Sequence, residues 1–190
     1  GLAKYKWYEK TKSKKIKPLK DLYLGVKRDI KVEGNKIDVR GVAKLLTQKK
    51  VVAIFQGRSE CGPRALGNRS ILYDPRDPDG REKINTLKGR ENYRPLAGTV
   101  LHEQASKWFD MSFVNESPYM LYNLEVLSNK IPAICHVDNT CRVQTLKKSF
   151  NQNYYNLIKE FYKLTQVPIL LNTSFNLAGD TIVETVDDAL

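Results

Sequence analysis

Apolar residues recur along the chain with two different periods, and these periods predict its helices and strands. From Asp38, a plausible N-cap, to about Gln48, apolar residues recur at positions i, i+3, i+4 and i+7, which predicts a helix with one apolar face. Residues 153–164 show the same period and predict a longer amphipathic helix with Tyr154, Leu157, Ile158 and Phe161 facing inward. Shorter helices are expected over residues 78–87, over residues 103–109 and after an N-cap at Thr185.

Short apolar runs between turn signals predict the β-strands. The compact runs are residues 51–55, 70–73, 97–101 and 168–171. Two longer stretches, 119–127 and 133–146, also have strand character, and the second is broken near Asp138-Asn139. Since strands and helices follow one another without a strict βαβ rhythm, we expect an α/β (α+β) domain in which helices flank a mixed twisted sheet.

The composition fits one domain of ordinary size preceded by a basic segment. The chain has 190 residues, 41% of them hydrophobic, and no apolar run long enough to cross a membrane. Residues 1–20 contribute +7 to the net charge of +11, because eight lysines stand against a single glutamate there. We therefore divide the chain into a basic linker or arm, residues 1–21 with an edge strand at 5–8, and a domain over residues 22–190.

Charge and cysteine content limit the partners and the compartment. The arm is either a linker kept soluble by its lysines or a segment that touches RNA or an acidic surface. Cys61, Cys135 and Cys141 form no C-x-x-C pair and match no zinc-binding spacing. We therefore expect neither a disulfide framework nor a metal site in this chain, and a reducing cytoplasmic setting.

The stretch GRSECGPRALGNRSIL, residues 57–72, places glycines beside arginines directly after a predicted strand. Glycine takes positive φ and allows close approach to its backbone, while the planar fork of arginine matches phosphate or carboxylate oxygens. The glycines are Gly57, Gly62 and Gly67, and the arginines are Arg58, Arg64 and Arg69. The pattern favours a loop folded around an anion over the alternative, a turn-rich surface loop with solvated arginines.

Further stretches of the same character lie at the ends of other predicted elements. They are Lys88-Gly89-Arg90 with Arg94, the run HVDNTCR at 136–142, the run LNTSFN at 171–176, and Gly179-Asp180. His136 and Asp138 would share one face of an extended chain. Together these stretches supply several cations, hydroxyl and amide donors, and few carboxylates, which suits a polyanion such as a nucleoside triphosphate. The chain has neither a Walker A sequence nor a G-x-G-x-x-G motif, so a common nucleotide-binding fold is excluded.

The motifs GRSECGPRALGNRSIL, INTLKGRENYRPLAGTVL, HVDNTCRVQT and ILLNTSFN resemble the C-terminal domain of the carbamoyltransferase family, which includes nodulation and antibiotic O-carbamoyltransferases. The resemblance extends from about Asp21 to Leu190. That domain is similar to YrdC-like enzymes, whose K-x-R and S-x-N patterns resemble Lys88-Gly89-Arg90 and Ser174-Phe175-Asn176 here. One departure is Asn139 at a position where the family has glycine, and Asn tolerates positive φ better than most residues.

The resemblance implies a reaction and its partners. In the family, this domain uses carbamoyl phosphate and ATP, with Mg²⁺, to form carbamoyl-adenylate. A separate N-terminal domain of the actin/hexokinase type, which contains iron, passes the carbamoyl group to a hydroxyl acceptor. This chain lacks that domain, so we expect only the activation half-reaction here, and no membrane partner.

Site roles follow from the resemblance and from the side-chain chemistry. Lys88 and Arg90 are expected to hold the ATP phosphates, and His136 to protonate a departing phosphate oxygen. The other expected phosphate or nucleotide ligands are Arg64, Arg69, Arg94, Arg142, Asn172, Ser174 and Asn176. Two alternatives remain open: synthesis of threonylcarbamoyl-adenylate from threonine, bicarbonate and ATP, and a non-catalytic RNA-binding module that uses the lysine arm.

Overall fold

A computed structural model describes residues 35–190, so the predicted arm over residues 1–21 and its edge strand lie outside the described residues. Within this range the chain forms a six-stranded sheet with strand order β1-β2-β6-β3-β5-β4. The strands are β1 (Val52–Phe55), β2 (Arg69–Tyr73), β3 (Ala97–Leu101), β4 (Asn123–Glu125), β5 (Thr140–Leu146) and β6 (Ile169–Ser174). The expected fold class, a mixed sheet flanked by helices, is confirmed.

Three of the four α-helices of residues 35–190 begin at a side chain that caps them, and the exception is the helix over residues 80–87. They are α1 (Val39–Thr47), α2 (Gly80–Leu87), α3 (Gln152–Thr165) and α4 (Val186–Ala189). The Asp38 carboxylate accepts from Gly41 N at 2.7 Å before α1, and Thr185 forms a capping box before α4.

The apolar faces of α1 and α3 pack against each other, and the inward-facing residues predicted for α3 are buried. In residues 35–190 no helix has the length and apolarity to span a bilayer.

The register of the sheet brings distant parts of the chain to one end. Asn172 on β6 pairs with Ala97 on β3, which pairs with Arg142 on β5. Because β6 runs antiparallel to β3 while β5 runs parallel to it, the carboxyl end of β6 lies beside the amino ends of β3 and β5. We call this the site end of the sheet. The loops that follow β6 and precede β3 and β5 therefore converge there.

Several predicted elements are shorter or of another type than their patterns indicated. The run 51–55 is only partly buried, because β1 is an edge strand that pairs on one side. In the stretch 119–127 only Asn123–Glu125 belongs to the sheet, alongside β5. In the stretch 133–146 the first residues form a 3-10 turn at Pro132–Ile134, since proline favours a helical start, and the strand begins at Thr140. The helix expected at 103–109 is a 3-10 helix at His102–Lys107.

Candidate active site: a cationic cleft at the site end of the sheet

A cleft of about 630 Å³ lies between the loop that follows α2 and the loop that follows β6. The backbone ties these loops together, since Ala178 N donates to Lys88 O at 2.8 Å. The lining residues are Thr86, Lys88, Gly89, Arg90, Glu91, Arg94, Ser174, Asn176, Leu177, Ala178 and Gly179. The structure thus brings together five residues that the sequence predicted for one site: Lys88, Arg90, Arg94, Ser174 and Asn176.

Lys88 is held inside the wall of the cleft rather than extended into it. Its side chain is almost fully buried, with 2% exposed, and its ammonium donates to Ser174 O, to Asn176 O at 2.8 Å and to Asn176 Oδ1 at 2.9 Å. The Ser174 hydroxyl donates to the same Asn176 Oδ1 at 2.6 Å. Burial, with a smaller contribution from Arg90, lowers the pKa of Lys88 to about 8. Lys88 therefore holds the loop after β6 in place, and burial disfavours the charged form of its ammonium.

Arg90 and Arg94 extend the positive charge along the cleft. Arg90 is half-buried, and its Nη2 is a buried atom without a hydrogen-bond partner among residues 35–190. Burial and the neighbouring Arg94 lower the pKa of Arg90. Arg94 is exposed and forms an ion pair with Glu91 at 2.6 Å. Glu91 is the one carboxylate among the lining residues, so most of the positive charge here has no compensating anion.

Arg64 and Arg142 continue the cationic group beyond the cleft lining. Arg142 is half-buried on β5, and its Nε has no partner within the described residues. Its pKa is lowered first by burial, then by the charges of Arg64 and Arg90. The loop of residues 57–68 thus places Arg64 close enough to Arg142 for their charges to interact. Arg142 on β5 interacts in the same way with Arg90. Guanidinium groups with unused donors and lowered pKa values are the arrangement expected of a site that takes up an anion.

The loop of residues 57–68 is folded by groups that the sequence analysis missed. The Glu60 carboxylate accepts from the backbone N–H groups of Leu66 at 2.7 Å and Asn68 at 2.8 Å. Gln144 on β5 donates to Leu66 O at 3.1 Å, which fixes the loop onto the sheet. Gly67 has φ of +113°, and a Cβ there would lie 2.2 Å from the ring of Tyr154. Position 67 therefore needs glycine, which takes positive φ and allows the Tyr154 ring to approach the backbone closely.

Two predicted phosphate ligands make structural contacts within the protein. Arg69 is 0% exposed, donates to Gln56 O at 2.7 Å and lies 3.7 Å from the centroid of the Phe55 ring. Asn172 is 1% exposed and donates to Thr99 Oγ1 at 3.0 Å and to Ala65 O at 3.2 Å. Both side chains are enclosed by the protein and neither lines the cleft, so their binding of phosphate stays a prediction that this arrangement does not favour. Each supports the loop that presents Arg64.

His136 lies in a hydrogen-bonded turn before β5. Its ring nitrogens are 3.0 Å from Leu96 O and 3.2 Å from Thr140 Oγ1, and Thr140 donates onward to Asp138 at 2.7 Å. His136 and Asp138 are therefore linked through Thr140, in a turn and not along the extended chain that the sequence predicted. Asn139 has φ of +62°, so this asparagine adopts the conformation expected where the family has glycine. His136 is not among the residues that line the cleft, and a role as an acid would require it to release one of these contacts.

The family assignment follows from the sequence over most of the chain. The model of the family described as Carbamoyltransferase C-terminus matches residues 43–190. The chain belongs to this carbamoyltransferase family. Nodulation protein NolNO of Sinorhizobium fredii is 46% identical over 153 residues, which cover 78% of this chain and 22% of that protein. The 3'-hydroxymethylcephem-O-carbamoyltransferase of Amycolatopsis lactamdurans is 41% identical over 140 residues, 73% of this chain and 26% of that protein.

Solved structures support the fold of this carbamoyltransferase domain. Full-length HypF, crystallised in a phosphate- and nucleotide-bound form, matches with a TM-score of 0.60 and 21% identity, over 83% of this chain and 20% of that one. HypF of T. kodakarensis matches with a TM-score of 0.55 and 16% identity. The expected YrdC-like architecture is thereby confirmed. This chain spans about a quarter of the length of the relatives that it matches.

Proposed function

We propose that this domain uses ATP to activate carbamoyl phosphate as carbamoyl-adenylate. The observation that supports the proposal is a group of neighbouring cations: Lys88, Arg90 and Arg94 line the cleft, and Arg142 and Arg64 lie beside it within electrostatic reach. Phosphoryl and nucleotidyl transfer require mainly positioning and neutralisation of charge, and these side chains supply both. Membership in the carbamoyltransferase family supports the choice of carbamoyl phosphate as the co-substrate.

The proposed reaction has two steps. Water first cleaves carbamoyl phosphate to carbamate and phosphate. A carbamate oxygen then bonds to the α-phosphorus of ATP, the bond from that phosphorus to the bridging oxygen of the β-phosphate breaks, and pyrophosphate leaves with the electron pair. Arg90, Lys88 and Arg142 would stabilise the charge on the triphosphate, while Arg64 would hold the phosphate of carbamoyl phosphate or the departing pyrophosphate.

Mg²⁺ fits this site only when it is bound to the phosphates of the nucleotide. Glu91, the carboxylate in the cleft lining, is already paired with Arg94. Phosphate oxygens and water would therefore supply most of the ligands of a bound Mg²⁺. Transfer of the carbamoyl group to a hydroxyl acceptor would take place in an N-terminal domain of the actin/hexokinase type, which would hold iron.

The test is release of pyrophosphate from ATP and Mg²⁺ with alternative co-substrates. Release that depends on carbamoyl phosphate, together with formation of an adenylate, supports the proposed function. Release that depends on threonine and bicarbonate instead would assign the chain to threonylcarbamoyl-adenylate synthesis. If neither mixture yields pyrophosphate above the level with ATP alone, the proposal is contradicted.

A further inference from the structure

One buried amide connects the two arginines that follow α2. Asn85 is 0% exposed, and its Oδ1 accepts from Arg90 Nε at 2.6 Å. Its Nδ2 donates to Arg94 O at 3.0 Å and to Asn92 O at 3.2 Å. Its backbone carbonyl also accepts from Arg90 N at 3.0 Å. Asn85 thus holds the segment that presents Arg90 and Arg94 to the cleft at three residues: Arg90, Asn92 and Arg94.

We propose that Asn85 is the positioning residue of the cationic cleft and holds Arg90 and Arg94 in the arrangement that receives a polyphosphate. This inference rests on the proposed function, in which that polyphosphate is ATP. Asn85 does not line the cleft, so it acts through the arginines and not by touching the ligand.

The amide is chemically suited to this role. A primary amide has one acceptor oxygen and two N–H donors, and the contacts of Asn85 use all three functions. Because the Arg90 Nε is engaged by Asn85, the guanidinium is fixed in orientation while its Nη2 remains without a partner in the described protein. That terminal nitrogen is the group available to a phosphate oxygen.

Because Asn85 is neutral, it holds the loop without lowering the positive charge of the cleft. Lys88, Arg90 and Arg94 carry like charges that repel one another, and without an anchor the loop would relax so as to separate them. An aspartate at position 85 would hold Arg90 more strongly, but it would cancel part of the positive charge and could not donate to Arg94 O. Asparagine restrains Arg90 without neutralising it.

The test measures binding of inorganic triphosphate to the full chain by calorimetry. Asn85→Ala is expected to weaken binding at least tenfold relative to the wild type. Ile84→Val, a neighbouring buried change in α2 that alters only an apolar side chain and keeps the backbone bond to Lys88 N, is the matched control and should leave the affinity within twofold. Equal affinity of Asn85→Ala and wild type overturns the proposal. If Asn85→Ala does not fold, Asn85→Leu decides in the same way, since it nearly keeps the volume, leaves the charge unchanged and loses all three side-chain bonds.

A double-mutant cycle separates positioning from a general effect on folding. If Asn85 acts through Arg90, the loss caused by Asn85→Ala should shrink at least threefold in an Arg90→Ala background. An undiminished loss in that background overturns the proposal. Triphosphate binding that depends on Asn85, in a chain that releases no pyrophosphate with carbamoyl phosphate, would contradict the proposed function and leave the positioning role standing. A wild-type chain that binds no triphosphate overturns both.

Discussion

Binding of a triphosphate above pH 8 is expected to take up a proton at Lys88. In the free protein, burial and the charge of Arg90 lower the pKa of this ammonium from 10.5 to about 8. This difference corresponds to about 3 kcal/mol by which the free cleft disfavours the charged lysine. A bound polyanion adds negative charge beside the ammonium and raises its pKa again. The bound state then holds more protons than the free state, so the affinity falls as the pH rises above about 8.

The expected size of the effect follows from these values. At pH 9 about one tenth of Lys88 is protonated in the free protein, and if the pKa returns to its ordinary value nearly all of it is protonated in the complex. Proton uptake should therefore rise from about 0.1 per site at pH 7 to about 0.9 at pH 9. The ligand for this test is ATP, because its single terminal phosphate has its last pKa near about 6 and contributes little above pH 8.

Calorimetry in two buffers of different ionisation enthalpy measures this uptake directly. Titrations with ATP at pH 8, 8.5 and 9 should give heats that diverge increasingly between the buffers, and Lys88→Met should remove the divergence. Heats that are equal in both buffers at pH 9, or a divergence that persists in Lys88→Met, would refute the reasoning about Lys88.

Three further predictions separate structural residues from ligands. Arg69→Met should lower stability to urea by about 2 kcal/mol, because Gln56 O and other carbonyls lose a charged donor, yet leave triphosphate affinity within threefold; a tenfold loss would return Arg69 to the site. Gly67→Ala should cost about 3 kcal/mol or more, since it combines a φ of +113° with a clash against Tyr154; a urea midpoint like that of the wild type would contradict this contact. Asn139→Gly should change stability by less than about 1 kcal/mol, because the two bonds lost, to Val126 O and from Cys135 Sγ, are offset by easier access to positive φ; a larger loss in urea would show that these bonds dominate.

The sequence predicted those parts of the structure that depend on short-range patterns. The helical period around Leu157 and Phe161 and the cap at Thr185 are local, and both were recovered. The convergence of Lys88 and Ser174 came from the family resemblance, because no local pattern states which loops meet at one end of a sheet. Sheet register, which places Asn172 beside Ala97, supplies that information only in the folded chain.

The roles of Arg69 and Asn85 are hard to predict from the sequence, because they depend on which side chains the folded protein buries. Arg64 and Arg69 occupy similar positions beside glycines, yet Arg69 begins β2 and is enclosed, whereas Arg64 stays exposed in the loop. Asn85 was missed because a polar residue in a short helix usually faces solvent, and the one available signal was its place next to the inward-facing Ile84.

The central claim is that the cationic group centred on Arg90 and Arg142 binds the triphosphate of ATP, and titration calorimetry with ATP and Mg²⁺ tests it most directly. The account predicts measurable binding by the wild type and at least tenfold weaker binding by Arg90→Ala and by Arg142→Leu, with both variants folded by circular dichroism. Wild-type affinity in both folded variants would place the nucleotide elsewhere and contradict the account.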